Sequence, residues 1–428
     1  MGKTQPHAEK HKLRRINLDR QGLLKNSPFG LGKNATRKAI EQLGYVQIDT
    51  ISVVARAHHH ILHSRVPNYH PRHLDLLQQQ GSIFEHWYHA AAYLPMRDYR
   101  FALPLMGKMR RREERWVRSH DDKLMQEVLR HVAGEGPTRA RDFETPSGRG
   151  VSGWWNWKPA KSALEQLFMQ GDLMITGREG FQKVYDLRER VLPDGVDTRT
   201  PTDAEMADYL IETTLRSHGV ATVACMIHGR IHSTYRDAVK VSINEQLEDG
   251  RLQDLQRADG TVMYSRPGIL EQRAPAAPAR VKILSPFDNV VIQRPRGQAI
   301  FDFDYQIECY IPQPKRRFGY FCLPLLYADK LVGRADCKAH RSEGRFEVKS
   351  LHIESFNARG GDRSRGGDRS RGGKQARGDA SDEQAFAQAL QATLKTFAQF
   401  NGCEQLQFTR TQPAHWLRLL KQADKSSN

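Results

Sequence analysis

Gln47 and Asp49 stand two positions apart in the stretch Leu43-Gly44-Tyr45-Val46-Gln47-Ile48-Asp49-Thr50-Ile51. In extended backbone, side chains at that spacing point the same way. An amide and a carboxylate would then project together, with Ile48 anchored behind them. Such a pair suits hydrolysis of a glycosidic bond, whose transition state places positive charge on the sugar. A carboxylate stabilises that charge and orients or deprotonates water, while an amide holds the water or the sugar. Spacing alone also fits a plainer role, in which Asp49 caps the turn ahead of a helix beginning at Ser52.

Other chemistries find less support. His58, His59, His60 and His63 suggest a metal cluster. Only His59 and His63 share the i, i+4 relation on a helix, and no carboxylate or cysteine nearby completes a ligand set. A polar helix face beside phosphates is the preferred reading. Cys225, Cys309, Cys322, Cys337 and Cys403 lie far apart with no C-x-x-C pair, which excludes the common thiolate zinc patterns and points to a reduced, cytoplasmic protein. A Walker lysine loop and H-E-x-x-H are missing, and neither cofactor nor metal is expected. No apolar stretch approaches the roughly 18 residues that would span a bilayer.

Charge indicates the partner. The chain carries +17. Residues 1–15 and 358–380 each hold a net +4, which leaves +9 on the remainder. A folded body that basic meets a polyanion, and duplex DNA is the expected one; a merely solubilising surface is the alternative. Arg56, Arg65, Lys158, Lys161, Lys315, Arg316 and Arg317 are the cations assigned to the phosphates.

The elements that must position these residues include a pair of similar units. A helix at 123–131, a Gly136-Pro137 turn, a short helix to Phe143, a helix at 159–170 and strands at 173–176 and 182–187 form the first. Helices at 203–216 and 237–247, a short helix ending at Met226, and strands at 252–255 and 262–265 repeat that order. Three helices and a two-stranded wing make the winged-helix pattern. Residues 36–43 read as a helix, 45–50 as extended and 52–65 as another helix, so 16–120 could be a third such unit. Beyond Val281, VKILSPFDNVVI, FDFDYQIECYI, GYFCLPLLY, KLVGRADCKAH and RFEVKSLHIE all read as strands of an antiparallel β-barrel or curled sheet. The fold class is therefore α+β. The boundaries are a basic flexible tail at 1–15, winged domains at 16–120, 121–195 and 196–278, and a barrel at 279–428. The barrel carries a disordered Arg/Gly insertion at 358–380 with a perfect six-residue duplication, and a helix at 382–400 follows it.

The segments LGYVQIDTISVVARAHH, SRVPNY, EHWYHAAAYLP, SGWWNWKPAKSALEQLF and FQKVYDL, then ILSPFDNVVIQR, FDFDYQIECYIPQPKRRFGYFCLPLL and LVGRADCKAHR, resemble in order the YcaQ-type (AlkX/AlkZ) winged-helix DNA glycosylases. The resemblance covers nearly the whole chain. It implies three tandem winged helices and a C-terminal barrel around a DNA channel. It also implies a catalytic Gln-Φ-Gln or Gln-Φ-Asp motif, Φ being apolar, which Gln47-Ile48-Asp49 matches in its second form. The implied activity is monofunctional hydrolysis of alkylated purines such as N7-alkylguanine, together with unhooking of interstrand crosslinks; separately, the protein is expected to act as a monomer. Two departures stand out: the Arg/Gly duplication has no counterpart, and Trp87-Tyr88-His89-Ala90-Ala91 replaces the family's usual W-x-H-E-A. Trp154, Trp155 and Trp157 could stack on a base, though core packing is the simpler role. The rival from another class is a non-catalytic winged-helix regulator, which would prefer one DNA sequence.

Overall fold

Two of the longer helices open on side-chain caps. The Asp121 side chain accepts from Lys123 N at the start of helix Asp122–Glu135, and Thr202 forms a capping box with Glu205 at the start of helix Asp203–His218. Gly136 and Gly219, at φ 84° and 74°, close the same two helices, a backbone region that favours glycine. The computed structural model describes residues 6–114, 121–143, 157–229, 231–354 and 372–425. Among them no helix is long and apolar enough to cross a membrane.

The chain divides into two compact units. One comprises Met1–Pro28, Asp49–Arg65 and Gln272–Asn428; the other comprises Phe29–Ile48 and Val66–Glu271.

The second of these units contains three small sheets of one design. The first is built from β1 (Val46–Gln47), β2 (Ile83–Trp87) and β3 (Ala91–Pro95), the next from β4 (Thr138–Arg139), β5 (Leu173–Glu179) and β6 (Gln182–Leu187), and the last from β7 (Val220–Ala221), β8 (Gln253–Gln256) and β9 (Val262–Ser265). Their strand orders are β1-β3-β2, β4-β6-β5 and β7-β9-β8. A helix precedes the lone strand each time, and another precedes the hairpin: Arg72–Gln79, Trp157–Met169 and Arg236–Glu248. The apolar periodicity that marks helix Trp157–Met169 buries Ala163, Leu164, Leu167 and Phe168 against Leu173, Ile175 and Tyr185 of its own hairpin.

In the other unit, β10 (Val281–Ile283), β11 (Cys322–Tyr327), β12 (Lys330–His340) and β13 (Arg345–Ile353) form an antiparallel meander. The barrel expected here does not form among the described residues. β14 (Gln405–Phe408) and β15 (Thr411–Gln412) both pair with β13 in parallel, leaving an open six-stranded sheet. The reason is the connection: helix Gly372–Phe400 carries the chain from β13 to β14, and a helical crossover returns a strand parallel. That helix buries Phe386, Leu390, Leu394 and Phe397, so a helical layer takes up the apolar surface that closure would have hidden.

Three further expectations change. FDFDYQIECYI is not a strand. Phe303 and Tyr305 are buried in alternation with exposed Asp302 and Asp304, as a strand would have them. Their rings instead lie by the Arg334 guanidinium, 4.6 and 5.5 Å from the centroids, and the Tyr305 hydroxyl donates to Cys322 O at 2.6 Å. The tail expected at 1–15 is helical from Pro6 to Arg20; it buries Leu13 and Ile16 and pairs Arg15 with Asp329 at 2.9 Å. Of the Arg/Gly insertion at 358–380, residues through 371 lie outside those described, and helix Gly372–Phe400 takes up the rest.

Candidate active site

Gln47 is delivered by the end of a helix. Gly32–Leu43 buries Ala35, Ala39, Ile40 and Leu43 and stops at Gly44, whose φ is 80°. A Cβ on Gly44 would lie 2.3 Å from Thr213 Cγ2, so both the turn and the close approach require glycine. The chain enters β1 at once: Val46 pairs with Tyr93, Gln47 with Ala92, and Ile48 N donates to Ala91 O at 2.8 Å. Tyr45 stacks on Tyr88, ring centroids 4.5 Å apart, and meets His89 edge-on at 4.9 Å. Gln47 is thus fixed at a buried strand position, and its Oε1 accepts no hydrogen bond from the described residues.

Asp49 belongs to the other unit, the division falling between Ile48 and Asp49. Its segment is fastened beside the C-terminal end of β12, past the last residue that β11 pairs: Ala339 N donates to Val53 O at 2.8 Å, Arg341 Nη1 to Ser52 O at 3.0 Å, and Ala55 N to Asn401 Oδ1 at 2.6 Å. These bonds explain why the helix expected at 52–65 is confined to Ala57–His63. Carbonyls engaged by the sheet cannot accept helical N–H groups. The Asp49 Oδ2 accepts from Ile51 N at 2.8 Å, so the turn-capping contact foreseen for it exists. Burial raises the Asp49 carboxyl above the ordinary aspartate value, against the opposing pull of the Ile51 and Thr50 N–H groups and the Arg56 guanidinium. A half-buried carboxylate of raised basicity can serve as a general base and can stabilise a neighbouring cation.

The predicted phosphate contacts separate. Arg56 stands at the N-terminus of helix Ala57–His63, within the field of Asp49. Arg65 offers no surface to DNA. It is fully buried and forked onto Asp288 at 2.8 and 2.9 Å, and it also donates to Gln21 O and Ile61 O. Lys161 is exposed on helix Trp157–Met169; Lys158 and Trp157 lie on the same helix with their side chains outside the described residues, and Trp154 and Trp155 lie outside the described residues altogether. Lys315 and Arg317 are exposed on one loop, where Arg316 donates to Ile311 O at 2.8 Å and lies over the Tyr320 ring. The four histidines do not form a polar face. His58 and His60 are buried, His60 Nε2 lies 2.9 Å from Ile283 O, and His63 stacks on Phe400 at 3.9 Å.

Sequence reasoning missed the residues that shape this loop. The Glu308 carboxylate accepts from the N–H groups of Arg317, Phe318 and Gly319 at 2.8–2.9 Å. Burial pushes its carboxyl up, but the three bonds outweigh burial and hold it below the usual range. Asp336 accepts from Tyr320 N and Phe321 N at 3.0 and 3.1 Å. The Arg334 guanidinium sits 4.0 Å from the Phe318 centroid. A carboxylate that will accept backbone N–H groups leaves no periodic trace in sequence, so no signal distinguished these acids from surface ones.

A family model described as DNA glycosylase AlkZ-like matches residues 40–400. Among solved structures, the chain is similar to the Streptomyces sahachiroi DNA glycosylase AlkZ, with a TM-score of 0.57 and 14% identity over 94% of this chain and 98% of that one. At that identity the likeness is one of fold.

Proposed function

The chain belongs to the AlkZ-like DNA glycosylase family, and from that premise we propose that it hydrolyses the N-glycosidic bond of alkylated purines, N7-alkylguanine foremost, and unhooks interstrand crosslinks. Asp49 carries the assignment of the catalyst. Its carboxylate is held in place by the Ile51 N–H, and burial raises its basicity. An N7-alkylated guanine is cationic and leaves readily, so the protein's main task is on the sugar side. Asp49 stabilises the oxocarbenium-like sugar and takes a proton from the attacking water. Gln47, with a buried amide oxygen that accepts no hydrogen bond from the described residues, orients that water. This route needs no lysine nucleophile, so the product is an abasic site without Schiff-base strand cleavage.

On this reading the three helix–strand–helix–hairpin segments are winged helices, occupying domains 16–120, 121–195 and 196–278. Their common strand order supports it. Lys158, Lys161, Lys315, Arg316 and Arg317 engage phosphates, Arg56 does so beside Asp49, and the protein acts as a monomer on duplex DNA. The test is a duplex carrying one N7-methylguanine. Alkali-labile abasic sites should accumulate at that base alone. An intact duplex after prolonged incubation with excess protein would refute the reading, and binding confined to one undamaged sequence would favour a regulator.

A further inference from the structure

Within the unit that carries Gln47, a cleft of about 390 Å³ opens between the first two small sheets. The edge strand β2 lines one side with His86 and Trp87; helix Trp157–Met169 and β6 line the other with Ser162, Glu165, Met169 and Lys183. We propose that this cleft binds a guanine base, the Glu165 carboxylate accepting from its N1–H and exocyclic amine and the Lys183 ammonium donating to its O6. The site lies wholly outside the unit of Asp49 and does not depend on the catalytic assignment.

The cleft is braced before anything enters it. Arg178 forks onto Glu85 at 2.8 and 2.7 Å, Gln78 Nε2 donates to Ile175 O at 2.7 Å, and Gln166 Nε2 to Met109 O at 3.3 Å. Walls so tied lose little freedom on filling. Its volume falls at the small end of ligand sites, which run from about 300 to 1,000 Å³, and so suits a single base. Arg178 occupies Glu85, but Glu165 and Lys183 face the same cleft with no hydrogen bond or ion pair among the described residues. The Lys183 Nζ is seated 4.7 Å from the Phe168 centroid. Burial lowers its amine below the usual lysine range, against the pull of Glu85 and Glu165. His86 is buried at the cleft, and neither ring nitrogen has a partner at hydrogen-bonding geometry. Buried polar groups are seldom left so. Trp87, Ala91 and Met169 supply apolar surface for the faces of a flat ring. The polar pattern selects the base. A carboxylate only accepts and an ammonium only donates. Guanine alone among the four bases sets two adjacent donors beside a carbonyl.

The full-length protein is titrated by calorimetry with deoxyguanosine and with deoxyinosine, which lacks the exocyclic amine. It is titrated by fluorescence anisotropy with duplexes carrying one bulged guanine or one bulged hypoxanthine. Guanine should be preferred about tenfold. Preference in the nucleoside arm assigns the cleft to a free base, and preference in the duplex arm alone assigns it to an unpaired base of DNA. Glu165→Gln, a change at an exposed helix position, should erase the preference. Lys183→Met, which keeps its stem over Phe168, should weaken guanine and hypoxanthine alike by about fivefold, because both carry O6. No preference in either arm, preference retained by Glu165→Gln, or unweakened binding by Lys183→Met would each overturn the proposal. The ligands are undamaged and no bond is cut, so failure to excise N7-methylguanine would sink the function proposed above while leaving this measurement valid.

Discussion

Replacing Asp49 with asparagine separates the two roles that its geometry allows. The Ile51 N–H bond at 2.8 Å survives the change, because an amide oxygen accepts as a carboxylate does. Burial already disfavours the charge at this position, so folding stability should hold or rise slightly. Catalysis should not survive. A unit charge about 4 Å from the developing sugar cation, at an effective dielectric of about 20, is worth about 4 kcal/mol. The Arg56 guanidinium offsets part of that. Loss of one aligned electrostatic group in such sites costs about 10²–10³ in rate, and this range is the expected fall. Single-turnover excision of N7-methylguanine with protein saturating the duplex isolates the chemical step. The wild-type rate should also decline on the acid side as Asp49 protonates, with a midpoint above that of an ordinary aspartate, and Asp49→Asn should lack this limb. Gln47→Ala should lose less, since a second water can take the place of the amide. Near-normal excision by Asp49→Asn at an unchanged thermal midpoint would refute the reasoning and leave Asp49 as a turn residue.

Arg65→Ala should lower the unfolding free energy by about 3–5 kcal/mol, because it strands Asp288 as an unpaired buried charge; urea denaturation measures this, and an unchanged midpoint together with weakened DNA binding would restore Arg65 to the interface. Acid should destabilise the fold early: burial lowers His60, His86 and His232 to about 4, and His63 and His89 to about 3. The unfolded chain, with imidazoles near 6.5, therefore binds more protons, so stability is complete above about pH 6.5 and falls as pH drops toward these values, by about 2 kcal/mol per histidine at pH 5; equal denaturation midpoints at pH 7 and pH 5 would contradict this. Deleting residues 359–378 should leave single-turnover excision within a few-fold of wild type and weaken low-salt duplex binding modestly, since the stretch holds cations and no apolar anchor; a tenfold loss of excision at saturation would assign it a part in the site.

Much of the architecture was legible because periodicity records burial. Helices expected at 123–131, 159–170, 203–216 and 237–247 form, and so do the hairpins after Gly171 and Gly250. Alternation at Phe303 and Tyr305 recorded burial correctly but suggested a strand, since one buried arginine can bury alternate rings as well as a neighbouring strand can. The parallel return of β14 was hidden because pairing direction depends on the connection and not on the strand's composition. Arg65 illustrates the same limit for sites. A cation at the end of a histidine-rich helix reads as surface charge until Asp288, 223 residues away, is brought against it. Gln47 and Asp49 stood out by residue type and spacing, while Glu308 and Asp336 gained meaning only from folding.

The seat of Asp49 is assembled from distant parts of the chain: the edge of β12 holds Val53, Asn401 holds Ala55, and Asp288 anchors the helix that follows. A ribosome releases residue 65 long before residue 288 is made. At about 5–20 residues per second the wait is roughly 10–45 s, and longer still for Asn401. By contrast, every segment of the unit that carries Gln47 has been synthesised once Glu271 emerges. A nascent chain can therefore present the segments for its repeated small sheets while Asp49 still lacks its setting, so on the proposed assignment of Asp49 the capacity to cut a base is the last property that synthesis confers.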